Sequence, residues 1–99
     1  MDNLAFEMHG IKFVYDYCIR DNQGGVALIA DWDTHRYKVA EAYLVGQSIY
    51  LYDELGTLKD DLLWTDKEEA LRWLKTQATG FAVAALEAPE LMSNYKRIK

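Results

Sequence analysis

The spacing of apolar residues changes period once along this chain, and that change constrains the fold more than any other feature. Up to residue 52, apolar side chains recur at every second position, the pattern of half-buried strands. Beyond residue 65 they recur at helical spacing: Ala70, Leu71, Leu74 and Ala78 form one stripe, with Trp73 on its flank. A chain that lays down strands first and helices afterwards is expected to be an α+β domain. The reading is an antiparallel meander of four to five strands, followed by one or two helices packed on one face.

The helix start carries its own signal. Thr65-Asp66-Lys67-Glu68 has the form of a capping box, in which the Thr65 hydroxyl accepts from the Glu68 amide and the Glu68 carboxylate reaches back. Asp66, Glu68 and Glu69 place negative charge on the positive end of the helix dipole. Glu68 and Arg72, and Glu69 with Trp73 or Arg72, face each other at helical spacing, and Glu68–Arg72 is the correctly ordered pair. The helix is predicted over residues 66–78, with Gly80 as a left-handed stop and Phe81 as its hydrophobic contact.

Several strands are legible upstream. Residues 4–8 form a short strand, and His9-Gly10 a tight turn. In residues 11–20, Ile11, Phe13, Tyr15, Tyr17 and Ile19 share one face, while Lys12, Val14, Asp16, Cys18 and Arg20 share the other. Residues 21–25 read as a turn, with Gly24 and Gly25 available for positive φ. A strand over 26–32 follows, then a turn at Asp33-Thr34-His35. Residues 36–44 tolerate a helix, but their alternation and a hairpin partner at 48–52 favour a strand. Residues 53–59 read as a loop around Gly56. Residues 81–88 read as a second short helix, although their alternation also permits a strand. Pro89 begins a further turn whose apolar side is Leu91, Met92 and Tyr95.

Ninety-nine residues make one domain, 1–99, long enough for one core. The single cysteine, Cys18, excludes an internal disulfide framework and fits a reducing, cytoplasmic setting. The opening MDNLAFEMHG lacks the basic and apolar regions of a signal peptide. No apolar run is long enough to span a membrane.

Charge is unevenly placed. Residues 53–69 hold seven acids (Asp53, Glu54, Asp60, Asp61, Asp66, Glu68, Glu69) against Lys59 and Lys67, so this segment alone matches the whole chain's net charge of −5. Direct nucleic-acid binding by such a surface is excluded, because phosphate neutralisation needs clustered Lys and Arg. The terminal Lys96-Arg97-Ile98-Lys99 reads as a solvated tail.

Catalytic chemistry finds little support. Asp31, Asp33 and His35 are the one compact group of potential ligands or acid–base residues, and Asp and Thr collect at turns for backbone reasons. Cys18 lies mid-strand, where a small thiol packs rather than reacts. The glycines lack the spacing of a phosphate loop. No cofactor or metal is expected. The rival readings are a small enzyme using the Asp31/Asp33/His35 turn, and a module that dimerises through a sheet edge or the aromatic face of residues 11–19.

The acidic segment has two readings of its own. One is solubility and helix-end electrostatics. The other is a docking surface for a basic partner, with Leu62, Leu63 and Trp64 set among the acids. The strand series GVALIADWD, RYKVAEAYLV and SIYLYDELG, followed by the acidic LKDDLLWTDKEEALRWL, resembles the architecture of small phage-encoded inhibitor proteins of the anti-CRISPR type. That resemblance implies inhibition by binding, with carboxylates standing in for phosphates on a basic protein or nucleoprotein complex. The residues expected to carry it are Asp53, Glu54, Asp60, Asp61, Trp64, Asp66 and Glu69.

Overall fold

Period-two patterning produces six strands that pair antiparallel in sequence order: β1 Leu4–Met8, β2 Ile11–Arg20, β3 Gln23–Trp32, β4 His35–Val45, β5 Ser48–Tyr52 and β6 Leu58–Leu63. A long helix, α1 Lys67–Leu86, a 3₁₀ turn Pro89–Asn94 and a short strand β7 Lys96–Ile98 follow. The computed structural model describes residues 4–20 and 23–98. The class is α+β, an antiparallel sheet of seven strands followed by one main helix.

Strand β4 is the hub. One side pairs with β3 along its length. The other side is shared: β5 takes the half from Glu41 to Val45, and β7 takes Arg36 to Lys38. Positive-φ residues make the hairpins tight. His9 (φ 52) with Gly10 (φ 81), and Asp33 (φ 50) with Thr34 (φ 63), fill the two central positions of mirror-image turns whose twist matches the strands. A β-branched residue such as Thr34 is strained there, and its hydroxyl donates to the Asp33 carbonyl at 2.6 Å.

Alternation sorts the sheet into two faces. Ile11, Phe13, Leu28, Ala30, Ala40, Ala42, Ile49 and Leu51 form the face that α1 covers. Small residues on both sides, Ala30, Ala40 and Ala42 against Ala70, Ala78 and Ala82, allow helix and sheet to approach closely. Phe81 anchors the contact, edge-on to Phe13 at 6.0 Å and to Tyr95 at 5.0 Å between ring centroids. The opposite face holds a smaller cluster, Val14, Ala27 and Ile29 with Ile98 beside them, to which α1 contributes nothing.

A bulge at Val39 changes which residues share that second face. Leu28 pairs with Ala40 but Ile29 with Lys38, so one residue of β4 is skipped. Lys38 and Glu41, three apart and otherwise on opposite faces, come to the same side and form an ion pair of 2.6 Å with Glu41 only 7% exposed.

Several expectations need correction. The sheet has seven strands rather than four to five, because β6 and β7 lack an apolar alternation that would announce them. Residues 58 and 59 belong to β6, so the expected loop over 53–59 ends at Thr57. Gly24 and Gly25 lie within β3, opposite Ile19 and Cys18, and neither has positive φ. Residues 21 and 22, the rest of the expected turn, lie outside the described residues, as do the Cys18 side chain and Lys99. The basic 96–98 segment is strand rather than tail.

The expected helix break at Gly80 is absent, and 67–86 is one helix. The buried stripe continues through Ala78, Phe81, Ala82 and Ala84, and its burial outweighs the roughly 1 kcal/mol that glycine costs inside a helix. The capping box does not form either. Trp64 donates its amide to Gln47 and Asp66 to Leu63, each at 2.9 Å, so the chain turns tightly off β6 and delays the helix by one residue. Asp66 becomes the N-cap, without a side-chain cap bond. Of the two acids spaced to meet Arg72, it is Glu69 that pairs with it, at 3.5 Å.

Candidate functional site

Strand β6, its two flanking turns and the first turn of α1 carry the expected binding residues, and the structure assigns them different work. At one end, the Asp53 carboxylate accepts the amides of Leu55 and Thr57, both at 2.9 Å, while its own amide bonds the Thr57 carbonyl at 3.0 Å. That carboxylate holds the loop closed around Gly56 (φ 78). Glu54 is half-buried, and its charge acts on Tyr95. The Tyr95 phenol is pushed up to about 12, first by burial and then by Glu54. At the other end, Trp64 is 48% exposed, Asp66 caps the helix backbone, and Glu69 pairs with Arg72.

Between these ends, Asp60 and Asp61 separate. β6 is an edge strand, bonded only to β5 among the described residues. The Val45–Ser48 hairpin turns the main-chain groups of Ser48, Tyr50 and Tyr52 toward β4, leaving those of Gln47, Ile49 and Leu51 for β6. Leu62 and Asp60, opposite Ile49 and Leu51, therefore bond inward, and the amide of Asp61 faces out. The Asp60 carboxylate accepts that outward amide at 2.8 Å. Asp60 thus blunts the open edge, as charged residues on edge strands commonly do. Asp61, opposite Tyr50, lies on the sheet face away from α1. Asp60 and Asp61 lie on the edge strand, Asp53 and Glu54 in the loop before it, and Trp64, Asp66 and Glu69 after it, so the seven do not share one face.

That uncovered face is the feature sequence reasoning missed. Tyr43, Tyr50 and Tyr52 lie there, with the Tyr43 and Tyr52 rings edge-on at 6.2 Å. Leu58 and Leu63 of β6 flank them, 52% and 65% exposed. The signal was present: Ile49 and Leu51 point into the core, so Tyr50 and Tyr52 had to point away. A second missed feature is an apolar groove of about 470 Å³ between the first turns of α1 and the sheet, lined by Tyr17, Val26, Leu44, Ile49 and Leu71 among others.

The Asp31/Asp33/His35 group is dispersed by its turn. Asp31 binds Arg36 at 3.0 Å, and the His35 Nδ1 meets the Asp33 carbonyl at 2.8 Å as a donor. Among the described residues, no group of three or more His, Cys, Asp and Glu side chains could hold a metal ion. No helix among the described residues is long and apolar enough to cross a membrane. No protein-family model, curated protein or solved structure matches the chain.

Proposed function

We propose that this chain is a small, acidic, non-catalytic binding protein of the cytoplasm that inhibits or modulates a larger basic protein or nucleoprotein complex. The observation that carries the reading is the character of β6 and its flanks. An edge strand displays Asp60 and Asp61 beside the exposed Leu55, Leu58, Leu63 and Trp64. Apolar anchors among charges are a common interface arrangement, and the excess of acids selects a basic counterpart. The resemblance to phage-encoded inhibitors supports the same direction. The rival enzyme reading gains nothing from a turn whose Asp31 carboxylate is already engaged by Arg36.

The test is paired affinity capture from the source cell, with wild-type protein and the Asp60→Lys/Asp61→Lys variant as baits. A partner held by the wild type and lost by the variant, with an association rate that falls as salt rises, is the expected result. Capture indifferent to both the charge reversal and salt would overturn the reading.

A further inference from the structure

We infer that the uncovered face of β5 and β6, centred on Tyr50, Tyr52 and Asp61, is a docking surface for an arginine-bearing segment of a protein. The inference rests on the binding reading above and narrows it from an acidic edge to one face and one side-chain chemistry.

The argument begins with what covers the sheet. All α1 packing is on the opposite face, where Ile49, Leu51 and Leu62 join Ala70 and Leu74 in one cluster. The other side of β5 and β6 has neither helix nor loop in that cluster or in the smaller one around Val14. Cross-strand register then fixes the composition of the bare face: Tyr50 opposite Asp61, Tyr52 opposite Leu58, Ser48 opposite Leu63. Tyr50 and Tyr52 are half-buried, standing on their neighbours with ring surface still accessible, whereas Leu58, Asp61 and Leu63 are exposed. Tyrosine presents a large rigid surface at low entropic cost, and aromatic residues are enriched at interface centres.

The sign of the partner follows from charge. Asp61 lies directly beside Tyr50, and Glu41 opposite Tyr52 is neutralised by Lys38, so the exposed charge on this face is negative and comes from Asp61. A guanidinium can lie over a tyrosine ring and form a forked bond to a neighbouring carboxylate at once; an ammonium does the second poorly. A second copy docking edge to edge through β6 would set acids against acids, and nucleic acid would meet the same repulsion. The Asp60 carboxylate accepts the outward amide of Asp61, so its charge sits on the strand edge rather than beside the Tyr50 ring.

The experiment uses defined probes: the peptide Ac-(Arg-Gly)4-NH2 and its lysine counterpart, titrated into ¹⁵N-labelled protein. Amide shifts should gather in 48–52 and 58–63, and the arginine peptide should bind about threefold or more tighter than the lysine one. Tyr50→Ala and Asp61→Asn should each weaken it by roughly fivefold, while Glu90→Gln, far from this face in the 3₁₀ turn, changes it less than about twofold. Tyr50→Leu, which keeps apolar volume and loses the ring, stands in if the alanine variant does not fold. Equal affinity for both peptides, shifts spread over distant acids such as Glu87 and Glu90, or no binding would overturn the inference. A partner captured by the wild type and lost on double charge reversal, alongside a failed peptide mapping, would retire this face and leave the acidic reading standing. Capture indifferent to the reversal would retire the acidic reading on its own.

Discussion

The two faces of the sheet are made from the same strands by the same alternation, yet they are completed in different ways. The helical face is sealed by aliphatic and aromatic side chains supplied from α1, and Phe13, Leu28, Leu74 and Phe81 are fully buried there. Among the described residues, the opposite face has no second layer over it. It hides Val14, Ala27 and Ile29 beneath their own neighbours, places an ion pair over the bulge, and leaves tyrosines at one corner. The difference teaches that burial within one sheet divides into two kinds. One depends on a distant element docking, and the other on side chains lying across adjacent strands. Only the second leaves a surface free to meet another molecule.

Substitutions can break this contrast or sharpen it. The largest effect should come from Phe81→Ala, which empties the centre of the sealed face. A loss of about 3–5 kcal/mol is expected in urea denaturation, against a total of roughly 5–15 for a domain. Tyr50→Ala on the open face should cost under about 1 kcal/mol, and equal losses would erase the distinction. Gly25→Ala comes next. A Cβ at Gly25 would overlap the Tyr43 ring and lie 3.1 Å from the Ala42 carbonyl oxygen, so the open face should lose about 1–3 kcal/mol through a single methyl.

Tyr95 tests the sealed face by pH. Its folded value of about 12 lies above the ordinary 10.0, so the neutral phenol is the form the fold prefers. The associated stability is complete below pH 10 and is lost as pH rises toward 12. Denaturation midpoints should fall across that window, and Tyr95→Phe should flatten the fall. Gly80→Ala should act in the opposite direction. The added methyl meets only the Tyr95 hydroxyl at 3.5 Å, an ordinary contact, so helix propensity should raise stability by about 0.5–1 kcal/mol. The smallest effect is expected at Thr65→Ala, less than about 0.3 kcal/mol by the same assay, since Thr65 is not the cap; a loss near 1 kcal/mol would restore the capping box.

What sequence could supply follows from where one physical term dominated. β2, β4 and β5 were legible because their period of two faces a core, and the ambiguous 36–44 run resolved correctly on that ground. β6 was not, because on an edge strand neither face need be apolar: of LKDDLL only Leu62 turns inward. The helix was legible in type but not in length. A glycine stop is a local preference, and Phe81, Ala82 and Ala84 override it only through contacts with a sheet that local reasoning does not contain. The capping box failed for a similar reason, since the Trp64 amide is claimed by Gln47 across the β5–β6 pair. At the site, the acidic segment was evident from composition. The division of labour between Asp60 and Asp61 was not, because it depends on which main-chain amides an edge strand turns outward.

The pairing of β7 with β4 has a consequence in time. Each of the first six strands meets its neighbour across a short connection, so the meander can zip in local steps on the order of microseconds per hairpin. β7 meets β4 across roughly sixty residues, after α1 has docked and the chain has reversed through the 3₁₀ turn. Its contacts are expected to form last. Weakening them should therefore hasten unfolding while leaving the folding rate nearly unchanged. Until they form, the Arg36 to Lys38 stretch of the central strand offers bare main-chain groups to the edge of any neighbouring chain, and crowded folding is the moment at which this molecule is most easily caught in the wrong partnership.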